Sequence, residues 1–230
     1  MLLIIIHEFG HFITAYFFNW KIDKIYIYPL GGITRFNDLI NKPFIEEFLV
    51  LLMGPVFQIV GACLLHRIDN NAYIYSNYLL LFNFLPIVPL DGGRLLTIIF
   101  SLLIPYKKAL DVIIYLSFSI YIALISYIFI NGSFTILIIC VFLIIKIIEE
   151  KKNNKYIFKK YILERYLYEY RFKNKKVITN FNEMYKYKSH LFKINNKYYS
   201  EKEYLNVIGW WNIYNLLKNN CKWSWKMIYY

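Results

Sequence analysis

The chain is poor in the residues that mark small disulfide-rich or metal-knuckle domains. Its 230 residues include 3 cysteines, and Cys63, Cys140 and Cys221 have no spacing typical of a disulfide framework or a metal knuckle. Internal repeats are missing, and acidic residues are few, 15 against 27 Lys and Arg. Because the sequence also lacks a zinc finger, a glycine-rich loop and a recognisable recognition helix, we expect no nucleic-acid partner in spite of the net charge of +12.

Apolar residues are what the sequence has in abundance. They make up 58% of the chain and come in long uninterrupted runs, which excludes a disordered chain and argues against an ordinary soluble domain. A helix needs roughly 20 apolar residues to cross the hydrocarbon core of a bilayer. We therefore predict an all-α polytopic membrane protein with about five transmembrane segments, near residues 1–18, 45–65, 73–104, 109–130 and 133–149.

The third apolar stretch is too long for one straight span. It contains Asn83, Pro86, Pro89 and the pair Gly92-Gly93, which favour a helix to about residue 82, an extended break through residues 83–93 and a second half-helix to about residue 104. Irregular backbone at membrane depth is tolerated only where it is buried in protein or lines a wet cavity. The break therefore predicts a functional site.

Charge divides the chain into two parts. Residues 1–150 hold 9 Lys and Arg against 10 Asp and Glu, whereas residues 151–230 hold 18 against 5. This split predicts a membrane domain over 1–150 and a basic cytoplasmic tail over 151–230. Counting back from the tail puts Lys107-Lys108 and the 19–44 loop on the cytoplasmic side and Met1 on the outer side, and we expect an upstream helix to be missing.

A metal-binding pattern lies in the first apolar stretch, His7-Glu8-Phe9-Gly10-His11. Two histidines four residues apart on a helix can converge on one metal ion, with the intervening Glu8 near the same point. Imidazole ligands suit zinc, and Glu8 could take a proton from a zinc-bound water molecule, which makes peptide hydrolysis the natural reaction. The alternative is a set of buried polar residues that bond neighbouring helices.

Asp91 is the best candidate for a third protein ligand. It is acidic, lies in the predicted helix break and is followed by glycines that permit a close approach of the backbone. The alternative is a simple turn-forming Asp-Gly pair. Among the other polar residues, Glu46 and Glu47 fit a helix start, where they complement the helix dipole, while His66 and His190 fit the loop and the tail.

The 19–44 loop has the alternation of a β-hairpin. Residues 24–28 alternate polar with apolar side chains, and Gly31-Gly32 precedes a second short run over residues 33–36. A connecting loop without regular structure is the alternative, since an isolated two-stranded hairpin is marginal in water. If the hairpin forms, its edge could pair with an extended substrate.

Together the two motifs resemble the site-2 protease family of intramembrane zinc proteases, peptidase family M50. The family pairs a His-Glu-x-x-His helix with a distant Asn-x-x-Pro-x-x-Pro-Leu-Asp-Gly-Gly segment, and residues 83–94 here read Asn-Phe-Leu-Pro-Ile-Val-Pro-Leu-Asp-Gly-Gly-Arg. A Gly-Pro pair in the intervening helix matches Gly54-Pro55. The absence of an inserted PDZ domain and the presence of a tail make the chain similar to the stage IV sporulation protein FB branch.

The resemblance implies roles for individual residues. His7, His11 and Asp91 would bind one Zn²⁺, Glu8 would be the general base, and substrate-binding residues would be Asn83, Gly31, Gly32 and Gln58. Gln58 stands where the family often has asparagine. The tail is short for the CBS-type domain of the sporulation branch and shows no clear version of it, so the resemblance does not establish ATP as a second ligand.

The resemblance also implies partners. The sporulation branch cleaves the precursor of a sporulation sigma factor, so we expect a membrane-associated protein substrate of this kind, in contact with membrane lipid. A membrane inhibitor protein is a candidate second partner. The alternatives are a site-2-type protease that acts on an anti-sigma factor or a signal-peptide remnant, and a membrane scaffold or transporter whose histidines only make a polar helix contact.

Overall fold

The computed structural model describes residues 2–28, 31–36, 39–67, 69–131, 134–168, 174–194 and 196–204, with residues 170, 172 and 206. The helices of this part are α1 Leu2–Phe17, α2 Phe44–Leu65, α3 Ala72–Asn83, α4 Asp91–Leu103, α5 Tyr106–Asn131 and α6 Phe134–Leu167. The strands are β1 Ile22–Tyr28, β2 Gly31–Phe36, β3 Lys175–Ile178, β4 Ser189–Ile194 and β5 Lys197–Ser200, with a short 3₁₀ helix at Phe181–Glu183.

Two of these helices are long and apolar enough to cross a membrane. They are α2 and the first 22 residues of α5, Tyr106–Tyr127, while α1 is apolar but shorter, with 16 residues. Large apolar side chains on α2, such as Val60 and Leu64, are more than half exposed, as lipid-facing positions require. The presence of helices that could span a membrane is confirmed, while the number of about five transmembrane segments stays a prediction.

The predicted break in the third apolar stretch is present. Helix α3 ends at Asn83, but α4 begins at Asp91, earlier than the predicted end of the break after the two glycines. A side-chain carbon at Gly92 would lie 2.6 Å from the carbonyl oxygen of Leu85, and one at Gly93 would lie 2.6 Å from that of Ile87. Because Gly92 and Gly93 have no side chains, α4 can start directly against the backbone of the break, and the glycines belong to the helix and not to the break.

The break is fixed from two sides. The Val88 amide donates a 3.1 Å hydrogen bond to the Ser117 hydroxyl of α5. Ile87 is fully buried and packs in one apolar cluster with Leu143 and Ile147 of α6. These contacts bury the irregular backbone in protein, which is the condition for its survival at membrane depth.

The 19–44 loop contains the predicted hairpin. Strands β1 and β2 pair antiparallel, with Ile27 opposite Gly32 and Tyr28 opposite Gly31. Strand β2 also runs alongside α1, the helix that carries the histidine pair. The two strands are thus more than a connecting loop, while substrate pairing at their edge stays a prediction.

The prediction of an all-α protein with one small hairpin was too narrow. After α6, which continues unbroken from the fifth apolar stretch to Leu167, the chain forms a three-stranded sheet in the order β3-β4-β5. Strand β3 is parallel to β4, and β5 is antiparallel to it. The strands have only four to six residues and are interrupted by lysines, so their alternation is too short to signal a sheet.

One end of the molecule brings together the segments that the charge pattern assigned to a common side. The Lys107 ammonium donates to the Asn182 side chain at 3.1 Å, and the Asn41 amide of the 19–44 loop donates to the Glu164 carboxylate at 3.0 Å. Tyr106 and Leu110 of α5 share an apolar core with Phe192 of the sheet. That this end faces the cytoplasm stays a prediction.

Candidate metal centre

The histidine helix α1 packs closely on α2. A side-chain carbon at Gly10 would lie 2.9 Å from the carbonyl carbon of Met53, so the two helices can meet at this point only because residue 10 has no side chain. A carbon at Gly54 would collide with the imidazole of His11. Small residues on both helices therefore make the space in which the rings lie.

Both imidazoles are held through Nδ1 by hydrogen-bond acceptors of α2. His7 Nδ1 lies 2.8 Å from the Gln58 side-chain oxygen, and His11 Nδ1 lies 2.7 Å from the main-chain oxygen of Val50. The Gln58 amide nitrogen donates to the Ser76 carbonyl at 2.9 Å, which turns its oxygen towards His7. Each ring must then carry a proton on Nδ1, so Nε2 has its lone pair available, as in metal-bound histidines.

The two Nε2 atoms face each other and a carboxylate. They lie 3.1 Å apart, and Asp91 Oδ2 is 2.8 Å from His7 Nε2 and 3.3 Å from His11 Nε2. Three acceptor atoms this close repel one another unless positive charge, from a proton or a metal ion, lies among them. Two imidazole nitrogens and one carboxylate oxygen form the donor set of a catalytic zinc site with one open position, so the residues fit zinc.

Glu8 lies beside this cluster and is largely buried, with 9% of its surface exposed. Its carboxylate and the ring nitrogens of His7 and His11 lie within 4.8 Å of one another, so Glu8 could also reach a metal ion. Asp91 Oδ2 lies within 3.3 Å of both Nε2 atoms, and we assign Asp91 as the ligand and Glu8 as the base. Both roles stay predictions, and the substitution Glu8→Gln distinguishes a base from a ligand.

The predicted substrate residues lie in different places. Asn83 ends α3, and its side-chain nitrogen is 3.5 Å from His7 Nε2, at the margin of the cluster. Gly31 and Gly32 begin β2, beside α1. Gln58 is fully buried against His7, which suits an orienting role better than a substrate contact.

Comparisons with known proteins agree with this geometry. Residues 1–70 match the model of peptidase family M50. The chain is 32% identical to stage IV sporulation protein FB of Bacillus subtilis over 178 residues, which cover 72% of this chain and 62% of that protein. These matches make the chain similar to the site-2 protease family, peptidase family M50.

Two further relatives come from Methanocaldococcus jannaschii. A zinc metalloprotease of this organism is 33% identical over 119 residues, which cover 46% of this chain and 34% of that protein. The solved structure of its site-2 protease superimposes with a TM-score of 0.55 over 65% of this chain and 74% of that one, at 22% identity, and so supports the fold. The chain spans under two thirds of the length of the two curated relatives.

Sequence reasoning missed several parts of this site. The acceptor for His11 is the main-chain oxygen of Val50, and no residue type signals a carbonyl group. Ser76, which holds Gln58, is an ordinary polar residue in the apolar helix α3. The Gly54-Pro55 pair and Gln58, both taken from the family pattern, marked this face of α2 in advance.

His190, by contrast, belongs to no cluster of metal-ligating side chains among the described residues. It is buried in the C-terminal sheet, where its Nε2 accepts a hydrogen bond from the Tyr185 amide and its Nδ1 lies 2.8 Å from the Glu201 carboxylate. Burial lowers the pKa of His190, although Glu201 raises it. A neutral ring whose two nitrogens both contact neighbouring groups of the C-terminal region has a structural role.

Replacing Gln58 with leucine should weaken zinc binding about 10- to 100-fold, the usual effect of removing an outer-shell partner of a ligating histidine. Leucine fills the space but leaves His7 Nδ1 without its acceptor. Chelator competition measures the zinc affinity. Ser76→Ala is the milder control. The Gln58 amide donates to both the carbonyl and the hydroxyl of Ser76, and this change removes only the hydroxyl. Unchanged zinc affinity with a raised KM in Gln58→Leu would instead support the predicted substrate role.

Replacing Gly54 with alanine should disrupt the same site by steric means. The new methyl group would overlap the His11 ring, which is enclosed between α1 and α2, and overpacking of this kind typically costs about 1–3 kcal/mol of folding stability. We expect zinc binding and thermal stability to fall together. Gly61→Ala is the matched control on the same helix, because its methyl group would meet the apolar Ile6 side chain and not an imidazole ring. Equal effects of both changes would contradict a specific role of Gly54.

Proposed function

We propose that the chain is a zinc-dependent intramembrane metalloendopeptidase that hydrolyses a peptide bond in or next to the membrane segment of a protein substrate. The observation that carries this proposal is the convergence of His7 Nε2, His11 Nε2 and Asp91 Oδ2 within 3.3 Å, beside Glu8 and between apolar helices. Gathering these groups inside a membrane is costly, and such clusters usually have a function. The similarity to peptidase family M50 supports the same function.

The proposed mechanism divides the work between the metal site and Glu8. His7, His11 and Asp91 would hold one Zn²⁺, which when bound supplies a Lewis acid that polarises a carbonyl and acidifies water. The Glu8 carboxylate would accept the proton of the attacking water molecule and return it to the leaving amide nitrogen, so that one C–N bond breaks as one C–O bond forms. Gln58 and the Val50 carbonyl keep the two rings in the ligating tautomer.

Substrate binding would use an extended conformation. A protease must separate a peptide bond from helical structure before hydrolysis, and an extended peptide can add to the edge of a sheet. Strand β2, which begins with Gly31-Gly32 and runs beside α1, is the edge nearest the histidine helix. Asn83, at the margin of the site, would help to orient the scissile segment.

The substrate we propose is a membrane-associated precursor, in first place a sporulation sigma-factor precursor. The similarity to stage IV sporulation protein FB supports a role in spore formation. We place the protease domain in residues 1–150 and a regulatory or substrate-docking domain in residues 151–230, in a multi-pass protein of the cell membrane with this tail in the cytoplasm. A membrane inhibitor protein is part of the proposal, and ATP is not.

Co-expression with candidate substrates tests the function. The full chain is produced with a membrane-bound sigma-factor precursor from the same genome, and in parallel with an anti-sigma factor and a signal-peptide remnant. Cleavage of the precursor alone, lost in His7→Ala, is the expected result. Cleavage of one of the other two proteins would retain the enzyme and replace the substrate. No cleavage of any of the three by zinc-loaded protein would favour a scaffold or transporter.

A further inference from the structure

The buried face of α2 extends beyond the residues that hold the histidines. Glu47, Val50, Gly54 and Gln58 follow one another at spacings of three and four and are all buried, so they form one face of the helix. The last three orient or accommodate the imidazoles. Glu47 lies at the start of the same face, one turn before Val50, and its partners come from the C-terminal region.

Glu47 is held by two neighbouring residues of the segment between the 3₁₀ helix and β4. The Lys186 ammonium lies 2.6 Å from its carboxylate, and the Tyr187 hydroxyl donates to it at 2.9 Å. Glu47 and Lys186 are 8% and 7% exposed. A buried pair of this kind is costly to break, because the remaining charge is left without compensation.

A second polar contact reinforces the first. The Glu164 carboxylate of α6 accepts hydrogen bonds from the main-chain amides of Ile40 and Asn41, directly before α2. The neighbouring Arg165 donates to the Asn41 side chain at 2.7 Å and to the main-chain oxygen of Lys186 at 2.6 Å. The chain entering α2 and the partner of Glu47 are thus connected through one buried arginine.

We propose that Lys186 is a positioning residue of the metal centre: through its ion pair with Glu47 it fixes α2, and so the Val50 carbonyl and the Gln58 amide that orient the two imidazoles. The inference rests on the proposed zinc site. Its physical basis is that a helix transmits a displacement of its first turn to the next turns of the same face, since its main-chain hydrogen bonds make it stiff. The C-terminal region then acts on the metal centre without touching it.

Lys186→Met tests this inference in the full chain in lipid nanodiscs. The change removes the charge but keeps most of the apolar stem. Zinc binding, measured by chelator competition, should weaken about 10-fold, at the lower end of the effect of outer-shell partners. The visible absorption of the cobalt-substituted protein should shift as well, because it reports the geometry of the ligands. Lys193→Met, the same change at an exposed position of β4, should leave both unchanged.

Several results would decide against the inference. If Lys186→Met lowers only the thermal stability, with zinc affinity and cobalt spectrum as in the parent protein, Lys186 merely stabilises the C-terminal region and the proposal is wrong. If this variant does not fold, Glu47→Gln, which keeps the shape of the side chain but removes the charge that pairs with Lys186, takes its place; a wild-type cobalt spectrum there would overturn the inference. Failure of the unaltered protein to bind zinc would contradict the proposed function instead.

Discussion

Replacing Glu8 with glutamine should abolish detectable hydrolysis while one zinc ion per chain stays bound. Glutamine has nearly the same shape but cannot accept a proton at neutral pH, and removing a general base typically lowers the rate by about 10²–10⁴. The two imidazoles would keep their positions, since Gln58 and the Val50 carbonyl hold their Nδ1 atoms. Product formation and zinc content are measured on the same preparation.

The outcome also separates two roles that the geometry allows for this residue. Because the Glu8 carboxylate lies within 4.8 Å of the histidine nitrogens, it could serve as a ligand. Loss of zinc in Glu8→Gln would show that it is one, and unchanged cleavage would remove it from the mechanism altogether. Glu150→Gln, the same substitution far along α6, is the control and should retain both zinc and activity.

Asp91→Ala should have the largest effect on metal binding. It removes the carboxylate that lies 2.8 Å and 3.3 Å from the two Nε2 atoms, leaving two imidazoles where a catalytic zinc site needs three protein ligands. Loss of an outer-shell partner lowers metal affinity about 10- to 100-fold. We expect the loss of zinc affinity in Asp91→Ala to be larger than this, and hydrolysis to disappear with it. Chelator competition and metal analysis of the purified variant measure the loss.

Asp111→Ala is the matched control for this substitution. Asp111 is exposed on α5, away from the histidines, and its loss should leave the zinc content unchanged. Zinc retained in Asp91→Ala at parental affinity would mean that another carboxylate completes the site, with Glu8 the nearest candidate. Such a result would return Asp91 to the role of a turn residue at the start of α4.

The chemistry of the site could be foreseen because it depends on residue types at fixed spacings. His7 and His11 are four residues apart on a helix, and Asp91 stands at a break that proline and glycine announce. The structure brings these residues together across 80 and 84 positions of sequence. The spacing could not reveal which groups hold the two imidazoles, because Val50 contributes only a main-chain oxygen.

The C-terminal region was harder to foresee for two physical reasons. Its strands are too short and too rich in lysine to show a two-residue period, so the sheet escaped prediction. Glu47 fitted a helix start by its sequence position, where a carboxylate complements the dipole. Its partner Lys186 is 139 residues away, and only tertiary packing shows that the carboxylate is buried in an ion pair.

The most direct test of the account is the zinc content of the purified full chain. We predict one zinc ion per chain, lost in His7→Ala and His11→Ala and retained in Glu8→Gln. A protein that contains no stoichiometric zinc as isolated, and takes up none after zinc is added, would contradict the metal centre and with it the proposed protease.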